Sequence, residues 1–206
     1  MKKIDWSYHR QKLREAIVAL PNFLKNPAEG MRQLPDWEWP TLLALQIAFG
    51  TACATLANII ERDIVGFFAD LILAPVAIVA VTSVGSAIFL YGFQFGLKRE
   101  IPFRAIYTHL VFAGIPFQVA NIVQKLVPPI VILGLAASLV LLYIGFMHNY
   151  SVNRKILKRI FIGVFVIFAA SWGTQFIRDG LRQEKLKAKY SPEDLKLLEK
   201  EMGTGE

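Results

Sequence analysis

Charge is scarce in this chain, and scarcest where a soluble fold would need it most. Of its 206 residues only 19% are charged and 54% are hydrophobic, against about 25% charged in an ordinary soluble domain. Between Thr41 and Leu97 the only charged residues are Glu61, Arg62, Asp63 and Asp70. A soluble protein must cover its surface with polar groups, and this chain has too few to do so. It reads as an integral membrane protein. Cysteine is almost absent: Cys53 stands alone inside an apolar run, which excludes a disulfide framework and a thiolate metal site. No CxxC, HExxH, GxxxxGK[ST] or GxGxxG spacing occurs, so no catalytic, cofactor or metal residues are assigned. The N-terminus lacks the clean apolar core and small-residue cleavage site of a signal peptide. Internal repeats and low-complexity tracts are missing too.

Long apolar runs are what the chain has instead. A spanning helix needs roughly 20 mostly apolar residues. Five runs meet that: about 40–60, 75–97, 104–123, 129–147 and 156–177. The expected fold is an all-α, polytopic transmembrane bundle of five spans. It is divided into an amphipathic N-arm (1–39), a membrane domain (40–177) and a charged helical tail (178–206). The stretch "ERDIVGFFADLILAP", from Glu61, reads as a short interfacial connection. The fourth run is nearly free of polar side chains and is expected to face lipid over much of its surface. In the second run Thr82, Ser83, Gly85, Ser86 and Ala87 would let a neighbouring helix approach closely. In the tail, Ser191 and Pro192 followed by two acids mark a helix start.

The N-arm places Trp6, Leu13, Ile17, Leu20 and Leu24 at helical spacing. Lys2, Lys3, Lys12 and Arg14 flank that stripe, and Pro21 and Pro27 interrupt it. Two readings fit: a helix lying on the membrane surface, or one packed on its own protein. Next come Trp37 and Trp39, which suit the aromatic belt of a membrane boundary. Pro40 suits a first helical turn. The basic net charge of +7 would suggest nucleic acid in a soluble protein; here it points to anionic lipid and no nucleic acid. The candidate lipid-surface residues are Trp6, Lys12, Arg14, Trp37, Trp39, Lys98, Arg99 and Arg104.

Orientation follows the Lys and Arg near the spans. With a cytoplasmic N-terminus, the inside segments carry seven in the arm, three at 98–104 and four at 148–159. The outside loops carry only Arg62 and Lys125. That favours the N-terminus inside. The tail opposes it, for with five spans its seven Lys and Arg lie outside.

Within the third run stand His109, Pro116, Gln118 and Asn121. An unpaired amide in hydrocarbon costs several kcal/mol, so this face must meet protein or water. Gln118 and Asn121 are three apart and share a helical face, and Pro116 frees the carbonyl of Phe112 from its helical bond. Gln46 and Asn58 are the matching amides of the first span. His109 and His148 could in principle share a metal, but they read better as boundary histidines. Ser83 or Ser86 with His109 could suggest an intramembrane protease, yet helix packing explains those serines better. The four polar residues of the third run are candidates for interhelical contacts or for a pathway.

One stretch resembles a known family. Gly96-Leu97-Lys98-Arg99-Glu100-Ile101-Pro102-Phe103-Arg104, then "IYTHLVFAGIPFQVANIV" with Pro116, then "LVLLYIGFMHNY", resemble the Yip1-domain membrane proteins over roughly residues 41–177. The resemblance implies a polar cytoplasmic N-terminal region followed by five closely spaced spans. In eukaryotes it implies trafficking adaptors that bind small GTPases through that region, and this short arm shows no motif that maps to the role. The basic ends and compact loops look bacterial, where the family implies an inner-membrane protein. The expected function is a non-catalytic scaffold or adaptor in membrane organisation, with a membrane-protein partner or a second copy of itself. The alternative is a small transporter or channel subunit.

Overall fold

The computed structural model describes residues 6–124, 126–150 and 152–189. The described residues form helices, turns and loops, with no strand among them. In order they are α1 (Trp6–Lys25), α2 (Pro27–Arg32), α3 (Trp39–Glu61), α4 (Ile64–Tyr91), a π-helical turn (Gly92–Gly96), α5 (Phe103–Ala113), α6 (Ile115–Ile122), α7 (Ile130–Tyr150) and α8 (Arg154–Lys189). Five segments are long and apolar enough to cross a membrane: Trp39–Ile60, Ile64–Gly96, Phe103–Ile122, Ile130–Tyr150 and Arg154–Gln175. The fold is therefore the expected all-α polytopic bundle. The chain forms two compact units, Met1–Phe161 and Ile162–Glu206. The first holds α1 to α7 with the opening of α8, and the second holds the rest of α8.

Local chemistry sets the helix ends. Pro40 sits in the first turn of α3, where its missing N–H costs nothing. The chain leaves α3 through Arg62 in the left-handed region (φ 56°). The Asp63 carboxylate then accepts the Gly66 N–H at 2.8 Å and caps α4. Asn26 caps α2, whose first turn holds Pro27. At the far end of α4 the π-helical turn swings Phe93 into the core, where it is 2% exposed.

One expectation about the spans is corrected. The 61–74 stretch is no separate connection. Helix α4 starts at Ile64 and runs through Pro75, so the second span covers 33 residues. At 1.5 Å per residue that is about 50 Å, longer than the roughly 30 Å hydrocarbon core, so the helix must tilt or project. The fourth span leaves more than half of its apolar stretch unburied and buries one face. Val131, Gly134, Ser138, Leu141, Leu142, Gly145 and Phe146 of α7 are buried, at spacings of one helical face. The fifth span ends at Gln175, and its helix continues as the charged helical tail to Lys189. The tail's expected helix at Ser191 lies outside the described residues.

The arm packs on the bundle. Ala19, Leu20 and Phe23 of α1 join the core, and the Phe23 ring lies 5.0 Å from that of Phe112. Leu20 sits beside Gln46, Phe49 and Ile115. Gln46 is seven residues past Trp39, about 10 Å along the helix, so this part of α1 lies beside α3 about two turns past its start. Val18 and Leu24 stay exposed. The side chains of Trp6, Lys12, Leu13 and Ile17 lie outside the described residues. Helix α1 passes through Pro21 unbroken and ends before Pro27.

Candidate functional site

Residues from three distant stretches meet at one end of the bundle, the end where α3, α5 and α8 begin and α7 finishes. Arg104 donates to Asp36 at 2.6 Å, and the Trp39 ring stacks 5.9 Å from Phe103. Phe93 lies 6.5 Å from Tyr150. The basic residues Lys98, Arg99, Arg104, Arg154, Lys155, Lys158 and Arg159 belong to the segments at this end. A pocket of about 310 Å³ opens here, lined by Arg32, Leu34, Pro35, Asp36, Ala105, Thr108, His109, Asn149 and Tyr150.

His109 forms its floor and is 4% exposed. Nδ1 lies 2.7 Å from the Ala105 carbonyl oxygen. A carbonyl only accepts, so the network assigns the proton to Nδ1. Nε2 then accepts from the Asn149 side-chain nitrogen at 3.1 Å. The same nitrogen lies 3.0 Å from the carbonyl oxygens of both Met31 and Gly145, so its two N–H groups are shared among three acceptors. Asn149 thereby ties α2 and α7 to α5. The Tyr150 hydroxyl stands 3.4 Å from Nδ1. Gly145 makes the approach possible: a Cβ there would come within 2.7 Å of both His109 Cδ2 and Met31 Cε.

A second polar node lies deeper. Gln46 of α3 is 2% exposed. Its side-chain nitrogen donates to Thr82 Oγ1 at 2.6 Å and to the Ile78 carbonyl at 3.3 Å, both on α4. Its oxygen accepts from the Tyr107 hydroxyl of α5. One glutamine therefore joins three spans. Towards the other end, the Asn58 side-chain nitrogen donates to Asp70 at 2.8 Å. Among the described residues no three His, Cys, Asp or Glu side chains gather as a metal site would need.

The sequence-selected residues fall in several places. His109 belongs to the pocket. Pro116 sits in the first turn of α6, and the break in the third span is two residues earlier, at Gly114. The Phe117 N–H next to the proline donates to Ser138 Oγ of α7 at 3.2 Å. Gln118 lines a cavity of only about 10 Å³ with Gln46, Leu20 and Phe49. Its side-chain oxygen is buried and has no partner among the described residues. Asn121 is half-buried near the end of α6. Trp37, expected at the lipid boundary, is 7% exposed and packs on Phe112 with ring centroids 5.4 Å apart. Trp39 is more open, edge-on to Tyr107. Arg14, Lys98 and Arg99 are exposed, and Arg104 is half-buried and paired with Asp36.

Sequence reasoning missed Arg32, Asp36, Asn149 and Tyr150. Asn149 follows His148, which drew attention as a possible partner of His109, yet it is Asn149 that meets the His109 ring. Successive helical residues point about 100° apart, so only one of two neighbours can face α5. Counting positions along α7 exposes the signal: Ser138, Leu142, Gly145 and Asn149 recur three and four apart.

No curated protein and no solved structure matches the chain. A family model described as the Yip1 domain matches residues 22–174, which takes in the five spans up to Thr174 and starts inside the arm where Phe23 meets the core. With five membrane-crossing helices and that match over most of its length, the chain is an integral membrane protein belonging to the Yip1 domain family.

Proposed function

We propose that the protein is a non-catalytic scaffold or adaptor of the Yip1 type, serving membrane organisation by assembling with partner proteins or with further copies of itself. The observation that carries this reading is where the intramembrane polar groups go. Gln46, Thr82 and Tyr107 meet one another across three helices, Asn58 meets Asp70, and Ser138 serves the backbone at Pro116. Polar groups used in this way lock helices together rather than line a route. The alternative, a small transporter or channel subunit, draws support from the unpartnered oxygen of Gln118. The cavity beside it, at about 10 Å³, has room for about one water molecule. Native mass spectrometry of protein extracted in its own lipids should show a partner chain or a second copy. In reconstituted vesicles no specific solute flux is expected. A flux lost in Asn121→Leu, with the melting temperature unchanged, would replace the scaffold by the transporter.

The same reading places the protein in a bacterial inner membrane with the N-terminus and both basic loops in the cytoplasm. Its support is that the 98–104 and 154–159 basic residues share one end, as the positive-inside rule requires. Each Lys or Arg near an anionic leaflet contributes about 1 kcal/mol of attraction. Cysteines introduced at Lys98 and Asn153, with Cys53→Ala, should resist membrane-impermeant thiol reagents in intact cells. Labelling of both from outside reverses the orientation.

A further inference from the structure

We propose that the pocket between the arm, α5 and α7 binds the zwitterionic headgroup of an aminophospholipid, with its phosphate at Arg32 and Tyr150 and its primary ammonium at Asp36. This goes beyond the scaffold reading and does not depend on it. The pocket is at the right level. Its lining comes from the first two turns of α5 (Ala105, Thr108, His109) and the last two residues of α7 (Asn149, Tyr150), beside the boundary aromatics Trp39 and Phe103. A volume of about 310 Å³ suits a headgroup and is far more than a water needs.

The charges are mixed and balanced, which separates this pocket from a plain anion site. Arg32 and Asp36 are the two charged lining residues. Arg32 spends one guanidinium nitrogen on Glu29 at 3.2 Å and stays half-exposed, so it keeps donors for a phosphate. Asp36 gives Oδ1 to Arg104, and its side chain is 84% exposed, so Oδ2 remains open to a cation. The histidine network orients the rest. With the proton of His109 on Nδ1, the Tyr150 oxygen can only accept from it, and the hydroxyl proton is left to donate to a phosphate oxygen. Asn149 engages its neighbours through the side-chain nitrogen, which leaves the side-chain oxygen as an acceptor for an ammonium N–H. A primary ammonium brings three N–H donors and a quaternary one brings none. The pocket should therefore prefer phosphatidylethanolamine to phosphatidylcholine, and both charge types to a purely anionic headgroup that Asp36 repels.

The test uses the full-length protein in detergent, offered equal amounts of phosphatidylethanolamine, phosphatidylcholine and phosphatidylglycerol with matched chains, and read by native mass spectrometry. Phosphatidylethanolamine should be retained about tenfold over the other two, the effect of a charge-assisted hydrogen bond. Asp36→Asn should erase its advantage over phosphatidylcholine, and Arg32→Gln should weaken retention of all three. Both side chains are open to solvent, so the melting temperature should hold and report that the fold is intact. Equal retention of the three lipids, or phosphatidylglycerol leading in both the native chain and Asp36→Asn, overturns the proposal. Displacement of the lipid by an equal concentration of soluble glycerophosphoethanolamine moves the site from a lipid to a free metabolite and overturns it as well.

Discussion

Helices α4 and α7 are nearly equal in hydropathy, yet they lie in opposite surroundings. Of the most apolar stretch of the second span 6% is buried, and of the fourth 39%. Helix α4 buries Ala74 and Ser86 and turns Ile72, Val76, Val84 and Ile88 outward. Helix α7 presents Gly134, Ser138 and Gly145 on one face and lies against α2, α5 and α6. The lesson is that hydropathy says whether a segment leaves water, not what it touches afterwards. Lipid tails are as apolar as leucine, so there is no hydrophobic gain in trading a lipid for a neighbouring helix. Close contact and hydrogen bonds decide instead. On α7 the small residues fall in register on one side. On α4 the small residues are spread around the axis, and one side of the helix, from Asp70 through Ile78 and Thr82 to Gly85, meets α3 and α5.

The comparison is broken most forcefully at Gly134. A Cβ there would meet Ala120 Cβ and lie 3.1 Å from the Pro116 carbonyl oxygen and 3.2 Å from Phe117 Cα. Backbone cannot step aside as a side chain can. Gly134→Val should cost about 3 kcal/mol by overpacking, read as a large fall in the detergent melting temperature. An unchanged melting temperature would show that α7 does not seat on α6 as described.

A smaller effect is expected at the node that anchors the inner face of α4. Gln46→Leu removes its bonds to Thr82, Ile78 and the Tyr107 hydroxyl, and leaves Tyr107, 1% exposed, with Ser83 as its side-chain partner. Membrane hydrogen bonds average about 0.6 kcal/mol with a maximum near 1.7, and the loss of three bonds places this change near the maximum. Tyr107→Phe should cost less in the Gln46→Leu background than in the native chain, since one of its bonds is already gone. Strict additivity of the two changes would mean that the two side chains do not share a bond.

The smallest effect belongs to the outer face of α4. Val76→Trp, at an exposed position, should change the melting temperature by no more than about 0.5 kcal/mol equivalent. If that face meets a second copy or a partner, the same change should lower the associated fraction in native mass spectra. A loss of stability in the lone protein would show that α4 is packed more tightly than its exposure indicates.

The sequence by itself determined the class of this protein and most of its span limits. Some twenty apolar residues without charge have only one comfortable solvent, and only helices satisfy their backbone there. Pro40 marks a helix start by local chemistry that needs no neighbours. The family was legible as well, through Gly96 to Arg104 and the third span. Only the tertiary structure decided that Pro75 sits inside a continuous α4, that α7 is buried over a larger share of its length than α4, and that Leu20 and Phe23 of the arm pack inside the bundle. It alone brought Arg32, Asp36, His109, Asn149 and Tyr150 to one pocket from three stretches separated by about seventy and forty residues. The reason is physical. Leaving water depends on composition, which a sequence displays, whereas helix pairing depends on shape and on single hydrogen bonds, which appear only when two surfaces meet.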